Sequence, residues 1–375
     1  MKENRPIRIL QVGMSPYYGG TESFIMNQYH CINRNKVQFD FLNVYKTEIA
    51  CQQEIEKLGG RIYYLDMNRH NGMSVYHKKM DDFFTQNAKE FDAVHCNYQS
   101  LINVDILRYA KKYGIQVRIA HAHNSGYGKE PSFIQKLLIR KNIKVLYQSA
   151  THYFACSKMA AKWMFHRDAI VINNAIDVEK FTFNDAVRKR IRNELGLENC
   201  RVVMFTGRLD PQKNPLFLLE IFSEILKRWN DAQLLVVGDG ILKDQMTNKI
   251  EQLKLHGHVK MLGSRRDVNL LLQAADVFLL PSKFEGLGIV LIEAQAAGVL
   301  TYTSDAVVPS DVRITDLLEF ISLQNSAADW AEIITQKGIL AHRNTKKEIC
   351  EAGYDNENNA KKLENLYLSF VRENS

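Results

Sequence analysis

A chain of 375 residues is longer than one ordinary domain and suits two domains of about 180 residues each. Hydrophobic residues make up 46% and charged residues 24% of the chain, a globular composition that excludes disordered, coiled-coil and collagen-like proteins. Apolar runs are too short for a signal peptide or a membrane span. Six cysteines without paired spacing indicate reduced thiols. We therefore expect a cytoplasmic protein.

The net charge of +7 is unevenly distributed along the chain. Residues 1–180 contain 25 Lys and Arg against 16 Asp and Glu, whereas residues 181–375 contain 24 against 26. The basic excess therefore belongs to the first half. It predicts an acidic partner there, either a phosphate-bearing substrate, an anionic membrane surface or a nucleic acid.

Short β-rich runs alternate with longer helical patterns along the whole chain, which predicts βαβ units and doubly wound parallel sheets. Several runs are continuously apolar, as in strands that are buried on both faces. Helical spacing marks Leu216–Trp229, Ala327–Thr335 and Asn358–Phe370. The predicted strands are Ile7–Val12, Gln38–Tyr45, Arg61–Leu65, Ala93–Cys96, Val117–His121, His152–Ala155, Ala169–Ile172, Val202–Thr206, Gln233–Val237, Val259–Leu262, Val277–Leu280, Val299–Thr303 and Phe320–Leu323.

A polar, charged segment, Asn184–Asn199, separates one run of βα units from the next. We therefore predict two Rossmann-like domains, an acceptor-side domain at 1–180 and a donor domain at 181–375. The last helical pattern could pack on either domain. Because ligands of open α/β sheets bind beyond the carboxyl ends of the strands, the residues that follow each strand are the candidate site residues.

Two cations, Arg208 and Lys213, follow the strand Val202–Thr206 in one loop, and Pro215 then suits the first turn of a helix. Cations beside a helix N-terminus can bind a diphosphate. The alternative is a solvated loop with two surface charges.

Two acidic residues, Glu285 and Glu293, follow the strand Val277–Leu280 in an otherwise apolar stretch. Their spacing corresponds to roughly 12 Å on a helix, comparable with the distance between the sugar and the ribose of a nucleotide sugar. An acidic residue near a helix start is more often a cap, but a second one in an apolar helix would be costly to bury without a partner. Glycines between them would let a ligand approach the backbone amides.

In the first half, Gly19 and Gly20 follow the first strand and open a helix, so their amides could face an anion. His121 and His123 lie two residues apart at the end of another strand and would share a face. A metal is not predicted, because no third ligand lies nearby and no Asp-x-Asp occurs. No Gly-x-Gly-x-x-Gly and no phosphate-binding Gly-Lys-Ser/Thr loop occurs, which argues against a nicotinamide or flavin cofactor.

Taken together, these motifs resemble the retaining glycosyltransferases of family 4, which have the two-domain GT-B fold, and in particular bacterial exopolysaccharide and capsular polysaccharide enzymes. The strongest block looks like the Glu-x7-Glu signature of the family and runs from Ala275 to Gly298. Three further blocks occur in the family's order, Gly19–Glu22, Asn173–Asp177 and Gly207–Asn214. The chain departs from the family pattern at Asn174 or Ala175 and at Val299.

The resemblance implies a role for each candidate residue. Glu285 would contact the donor sugar and Glu293 the ribose, while Arg208 and Lys213 would neutralise the departing diphosphate. His123 would be the active-site histidine, with His121 as the alternative sugar or acceptor contact. Gly19, Gly20 and the amides of Gly286, Leu287, Gly288 and Ile289 would complete the donor site.

The resemblance therefore implies a retaining, metal-independent transfer of a hexose or N-acetylhexosamine from a nucleotide sugar, most often UDP-linked, to a glycan or lipid-linked glycan. The donor is a substrate, and no cofactor is expected. The alternatives are a nucleotide-sugar 2-epimerase of the same fold and a non-catalytic nucleotide-sugar-binding protein of an assembly complex.

The segment 129–146 mixes Phe, Ile and Leu with five Lys or Arg residues. It could lie against an anionic bilayer at the cytoplasmic face and bring the enzyme to a lipid-linked acceptor. The alternative is an ordinary helix with one buried face and one solvated basic face. No recognition motif supports a nucleic-acid partner.

Overall fold

The structure, a computed structural model, describes residues 5–65, 72–126, 130–285, 287–305 and 312–374. The chain divides into two compact units, one formed by Met1–Ala175 with Asn356–Ser375 and the other by Ile176–Asp355. Each unit has one sheet whose strand pairs are all parallel, with helices between the strands. The predicted doubly wound α/β fold is therefore confirmed.

The first unit has a seven-stranded sheet among its described residues, in the order β3-β2-β1-β4-β5-β6-β7. The order reverses between β1 and β4, which lie side by side. The strands are β1 (Ile7–Val12), β2 (Val37–Asn43), β3 (Ile62–Tyr64), β4 (Ala93–Tyr98), β5 (Val117–Ala122), β6 (His152–Ala155) and β7 (Ile170–Val171). The helices are α1 (Gly20–Cys31), α2 (Gln52–Lys57), α3 (Met73–Asn87), α4 (Asp105–Lys112), α5 (Phe133–Ser149) and α6 (Lys158–Phe165).

The second unit has a six-stranded sheet in its described part, in the order β10-β9-β8-β11-β12-β13, with the reversal between β8 and β11. Its strands are β8 (Arg201–Thr206), β9 (Ala232–Val237), β10 (Val259–Gly263), β11 (Val277–Leu280), β12 (Leu300–Ser304) and β13 (Leu318–Ile321). Its helices are α7 (Val178–Phe181), α8 (Asp185–Leu195), α9 (Pro215–Leu226), α10 (Lys243–Gln252), α11 (Val268–Ala274), α12 (Ile289–Ala296), α13 (Ala327–Lys337) and α14 (Lys346–Glu351).

The strands are where the continuous apolar runs predicted them. All four residues of β11 are buried, because helices cover both faces of the sheet. Each of the predicted runs overlaps a strand, and the largest shift is at β13, which begins two residues before the predicted Phe320. Among the described residues, no helix has the length and apolarity that a membrane span needs.

The last helix, α15 (Asn356–Glu373), belongs to the first unit rather than to the range 181–375. Its buried residues Leu363, Tyr367 and Phe370 recur at helical spacing and join the core formed by β1, β2 and α1. Glu364 also accepts from Lys36 and from the backbone of Asn33. The sequence left the position of this helix open, because its apolar face could cover either sheet.

The first unit ends at Ala175, before the predicted boundary at 180. The polar segment Asn184–Asn199 is not a connection between the units. Its larger part is α8, which begins after an Asn184 cap and buries Ile191. Its charged residues Arg188 and Arg192 face inward to Asp276, and this explains why a charged sequence forms an integral helix of the second unit.

Asp276 is a buried carboxylate just before β11. One oxygen accepts from Arg188, and the other accepts from Arg192 at 2.9 Å and from the backbone of Val202 at 2.7 Å. It therefore joins α8, β8 and β11. A buried ion pair is much more sensitive to the loss of one partner than an exposed pair is.

We expect Asp276→Ala to lower the free energy of unfolding by about 3–5 kcal/mol, because two arginines would lose their buried partner. The control is Asp185→Ala on the same helix, where Asp185 pairs with Lys189 at the surface. That loss should be at most about 1 kcal/mol. Urea unfolding followed by circular dichroism measures both, and equal losses would contradict the assignment.

Candidate active site

Lys213 and Glu285 meet where the strand order of the second unit reverses. Lys213 follows β8 and Glu285 follows β11, and these strands are neighbours. The Nζ atom of Lys213 donates to Oε1 of Glu285 at 2.6 Å, and the side chains are only 14% and 5% exposed. The parallel strands therefore bring together two of the predicted site residues, at the crevice where open α/β sheets bind ligands.

The two oxygens of Glu285 have different surroundings. Oε1 accepts from Lys213 and also from the hydroxyl of Ser282, at 2.6 Å in both cases. Oε2 has no hydrogen-bond partner among the described residues. The carboxylate is thus held rigidly through one oxygen, while the other can accept from a ligand hydroxyl.

The loop after β8 places Lys213 by local contacts. Asn214 has a left-handed conformation, and Pro215 is the first residue of α9, as predicted. The backbone amide of Lys213 donates to the side chain of Asp210 at 3.1 Å. Its aliphatic stem lies beside Gly207, where a Cβ atom would be 3.4 Å from three of its carbons. The stem is therefore packed, and the ammonium is aimed at Glu285.

Arg208, the second predicted cation, does not join this pair. Its side chain is 73% exposed, and it contacts Asp210 at 3.3 Å and Gln212 at 3.4 Å. The loop holds one buried and paired cation and one that remains in solvent. Only the exposed guanidinium is free to move onto an incoming anion.

Ser282 and Gln212 are site residues that the sequence did not reveal. Gln212 donates to the carbonyl of Phe284 at 2.9 Å, and its own carbonyl accepts from the amide of Lys283 at 2.8 Å. Ser304, at the end of β12, donates to the carbonyl of Ser282. These bonds join the loop after β8 to the loop after β11, and that loop to the end of β12. A short polar residue between a strand and a loop carries no sequence signal of such pairing.

A second glycine loop, Gly238 to Gly240, also escaped the sequence analysis. A Cβ atom on Gly238 would lie 1.9 Å from the carbonyl oxygen of Gly207, and the residue has a φ of +136°. The amide of Leu209 donates to Asp239, and the amide of Leu242 donates to Leu209. The loop after β9 therefore packs directly on the cation-bearing loop. The signal available was a Gly-Asp-Gly run directly after a predicted strand.

Glu293 lies on α12, but Glu285 precedes that helix. Gly288 has a φ of +67° and caps α12, which begins at Ile289. The helical rise of roughly 12 Å expected between the two glutamates therefore does not apply, because only the second half of the interval is helical. Leu287 is buried, and Gly286 lies outside the described residues.

The carboxyl group of Glu293 has no ion-pair partner among the described residues. Burial raises its pKa from 4.5 to about 7. A protonated or weakly charged carboxyl group in this position can donate or accept a hydrogen bond. It would suit a neutral hydroxyl better than a phosphate.

In the first unit, Gly19 and Gly20 open α1 after β1, as the sequence predicted. The amide of Gly19, however, donates to Oε2 of the buried Glu22 at 3.0 Å, and the amide of Ser15 donates to Oε1 at 2.9 Å. Gly19 is thus already satisfied by this capping box. Nothing lies within 4 Å of a Cβ built on Gly20, so its backbone is the more accessible of the two.

His121 is the penultimate residue of β5 and His123 directly follows the strand, and their rings lie against each other as expected for residues on one face. The ring centroids are 4.1 Å apart, and Phe24 packs on both rings. Burial lowers the pKa of His123 to about 3 and that of His121 well below its ordinary value. Both rings are therefore neutral near pH 7. Within the described part of the chain, no three His, Cys, Asp or Glu side chains converge as metal ligands would.

Comparison with known proteins shows which proteins have a similar sequence and fold. Residues 187–355 match the family described as glycosyl transferases group 1. The putative glycosyltransferase EpsF of Bacillus subtilis is 28% identical over 370 residues, which cover 96% of each chain. The crystal structure of Anabaena HepE in complex with UDP has a TM-score of 0.70 at 17% identity and covers 98% of each chain. The fold is GT-B.

A further relative is the Escherichia coli UDP-Gal:alpha-D-GlcNAc-diphosphoundecaprenol alpha-1,3-galactosyltransferase. It is 38% identical to this chain over 135 residues, about a third of each protein. The family match and the named relatives together support a GT-B glycosyltransferase. The match covers α8 to α14, and so it includes Lys213, Glu285 and Glu293.

The raised pKa of Glu293 predicts a pH-dependent stability. The folded chain keeps this proton up to about pH 7, whereas an unfolded glutamate loses it near pH 4.5, so the stability should fall as the pH rises between these values. The stability of Glu293→Gln should not fall in this way, because the amide does not titrate. We expect the variant to gain on the order of 1–3 kcal/mol relative to the wild type between pH 4 and pH 8. Urea unfolding at several pH values measures the difference.

The control for this series is Glu251→Gln on the exposed face of α10, which corrects for the general effect of removing one charge. A difference between Glu293→Gln and the wild type that does not change with pH would show that the carboxyl group is not protonated by the fold.

Proposed function

We propose that the chain is a retaining glycosyltransferase of family 4 that transfers a hexose or N-acetylhexosamine in polysaccharide biosynthesis. The observation that supports this most is the buried Lys213–Glu285 pair at the strand reversal of the second sheet. It puts a cation for a diphosphate beside a carboxylate with one oxygen left for a sugar hydroxyl. Glu293 follows on α12 and would contact the ribose.

A UDP-linked sugar is the donor that we propose. The E. coli relative is named for UDP-Gal, and the HepE structure contains UDP. The Glu293 carboxyl group, whose pKa burial raises to about 7, suits a ribose hydroxyl, and the amides that open α12 suit an anion. The donor would be consumed as a substrate, so the proposal includes no cofactor.

The proposed reaction breaks the bond between the anomeric carbon and the diphosphate oxygen. The electron pair of this bond stays on the departing diphosphate, where Lys213 and Arg208 would stabilise the new charge. The acceptor hydroxyl would attack from the same face and pass its proton to the departing phosphate, which retains the configuration. This front-face course is what the family resemblance implies, and in it Glu285 orients the sugar rather than attacking it.

Two other functions fit the fold less well. A nucleotide-sugar 2-epimerase would not need Glu285 and Glu293 in this setting, and a non-catalytic binder would not need to keep Arg208, Lys213 and Glu285 intact. The named relatives and the family match are glycosyltransferases and favour neither alternative.

The first test is turnover. UDP release from UDP-glucose, UDP-galactose and UDP-N-acetylglucosamine, with lipid-linked and free glycan acceptors, identifies the working donor. Glu285→Gln should lower kcat at least about 100-fold, because the neutral amide accepts more weakly from the sugar hydroxyl and no longer balances the charge of Lys213. Arg208→Ala should raise the barrier by about 2–4 kcal/mol.

Loss of turnover must be separated from loss of fold, since removal of Glu285 leaves a buried ammonium unpaired. The double variant Lys213→Met with Glu285→Gln removes both charges, so it should recover thermal stability but not turnover. Glu220→Gln, which breaks the more exposed pair between α9 and α10, is the matched control and should leave turnover unchanged. Wild-type turnover in Glu285→Gln would refute the proposed role.

We propose, in addition, that α5 docks on an anionic membrane that carries the acceptor. Phe133 and Ile134 at its N-terminus are 76% and 70% exposed, and Leu137 is exposed one turn later. Arg140, Lys141 and Lys144 are exposed on the same side of the helix. Apolar and basic residues that share one exposed face match an anionic bilayer better than they match water. The opposite face packs through Ile139, Ile143 and Leu146.

Liposome flotation tests the docking. We expect recovery with vesicles that contain phosphatidylglycerol to exceed recovery with neutral vesicles, and the double variant Arg140→Glu with Lys144→Glu to abolish the difference. The control, Lys189→Glu with Arg190→Glu on α8, changes the charge equally at another exposed helix. Equal flotation of the two double variants would contradict docking through α5.

A further inference from the structure

The first unit contains a row of buried polar side chains on one face of its sheet. Successive strands contribute them at a spacing of two residues, and α15 adds a tyrosine from above. Every one of these side chains is buried. The row consists of Gln11 on β1, His95 and Asn97 on β4, His121 on β5, His123 just after β5, and Tyr367 on α15.

One backbone carbonyl fixes the direction of the hydrogen bonds at one end of this row. The carbonyl of Val12 can only accept, so the atom of Asn97 that lies 3.1 Å from it must be the amide nitrogen. The second proton of that nitrogen goes to the oxygen of Gln11, also at 3.1 Å. The nitrogen of Gln11 therefore donates to the hydroxyl of Tyr367 at 3.2 Å.

The same donor-to-acceptor direction continues through the hydrogen bonds of two histidines, His95 and His121. Because the oxygen of Tyr367 accepts from Gln11, its own proton goes to Nδ1 of His95, 2.5 Å away. If His95 donated instead, the hydroxyl proton would have no acceptor among the described residues. His95 consequently carries its proton on Nε2 and donates it to Nδ1 of His121 at 3.0 Å. His121 must then carry its proton on Nε2.

Asn97 determines which nitrogen of His123 carries the proton. Both protons of its nitrogen are used, so its oxygen accepts the bond of 2.9 Å from Nε2 of His123. His123 is neutral, because burial lowers its pKa to about 3, and Nδ1 therefore has a free lone pair. Burial likewise keeps His95 neutral by lowering its pKa to about 3.

Two atoms at the end of the row have no partner among the described residues, Nε2 of His121 and Nδ1 of His123. By the argument above the first is a donor and the second an acceptor, on adjacent rings. A buried donor and a buried acceptor that stay unpaired are both costly, because each has lost its hydrogen bonds to water. A hydroxyl group, which accepts and donates at once, is the ligand group that matches the pair.

We propose that Tyr367 and His95 are positioning residues that fix His121 as a hydrogen-bond donor, so that His121 and His123, the histidines that the family resemblance already assigns to the substrate, offer one donor and one acceptor to a single sugar hydroxyl. The second clause rests on the proposed function. The first does not, because it follows from the hydrogen bonds within the unit. The last helix of the chain thus contributes to the site without touching the substrate.

The tautomers can be measured without any turnover. Two-bond proton–nitrogen correlation spectra of the full chain labelled with [15N]histidine should show His95, His121 and His123 protonated on Nε2 at pH 7, with single variants assigning the signals. In Tyr367→Phe the two directions of the His95–His121 bond become comparable, and signals of Nδ1–H forms should appear. A wild-type His121 protonated on Nδ1 would overturn the proposal.

Turnover with the donor found above tests the second clause. Tyr367→Phe and His95→Leu should lower kcat/KM about 5- to 20-fold, whereas His95→Gln should recover most of it, because an amide can accept from Tyr367 and donate to His121. The control is Tyr29→Phe. Tyr29 is equally buried, accepts from Gln38 at 2.6 Å and donates to the carbonyl of Leu58 at 3.1 Å, so its loss should lower stability and not kcat/KM.

The spectra and the turnover measurements distinguish a failure of the proposed function from a failure of this inference. A wild type that transfers sugar from no donor refutes the proposed function, while the spectra still decide the positioning by Tyr367 and His95. Active variants of Tyr367 and His95, or equal losses in Tyr29→Phe and Tyr367→Phe, refute the hydroxyl site. If Tyr367→Phe does not fold, His95→Gln and His95→Leu make the same comparison.

Discussion

The ion pair between Lys213 and Glu285 depends on strand order, since 72 residues separate its members in sequence. In the second sheet, β8 and β11 are neighbours because the order reverses between them. If the strands followed sequence order, two strands would intervene, and the loops after β8 and β11 would be about 14 Å apart at a strand spacing near 4.8 Å. No side chain would then complete the pair. The bonds of Gln212 to the loop after β11 depend on the same adjacency, whereas the loop at Gly238 packs on the cation-bearing loop because β9 is the other neighbour of β8.

The same kind of reversal shapes the first unit, between β1 and β4. Side chains two residues apart on a strand share a face, so Gln11, His95, Asn97 and His121 form one polar row across neighbouring strands. Such a row is costly to bury unless its members bond to one another. The chain meets this requirement by returning α15 to the first unit, where Tyr367 closes the network between Gln11 and His95. The last helix therefore stabilises this unit in two ways, because its apolar face joins the core and Tyr367 supplies hydrogen bonds to the buried polar row.

Most of the fold could be predicted from the sequence, but only part of the candidate site could. Strands such as β11 could be predicted because a run buried on both faces is apolar without interruption, and the residues just after them were good candidates because parallel strands end at one edge. Pairings over long distances left no such mark. Tyr367 reads as one more apolar position of an amphipathic helix, Ser282 as a loop residue, and α8 as a charged connection, since the inward ion pairs of Arg188 and Arg192 cannot be distinguished from solvated charges. The spacing of Glu285 and Glu293 misled for a similar reason, because nothing in the residues says that the helix starts only after Gly288.

The charges around the second sheet's crevice constrain how an anion could bind there. Lys213 is balanced by Glu285, and Arg208 by Asp210, so these four groups carry no net charge before a ligand arrives. A bound diphosphate must therefore be stabilised by cationic groups that can reach it without first breaking a buried ion pair. Arg208 meets this condition because it is exposed and its contacts at 3.3 and 3.4 Å are weak. Lys213 can keep Glu285 and still offer its other two protons. In the proposed reaction, the buried pair would act as a rigid support for the sugar and the diphosphate, and the flexible arginine would supply the charge that follows the leaving group.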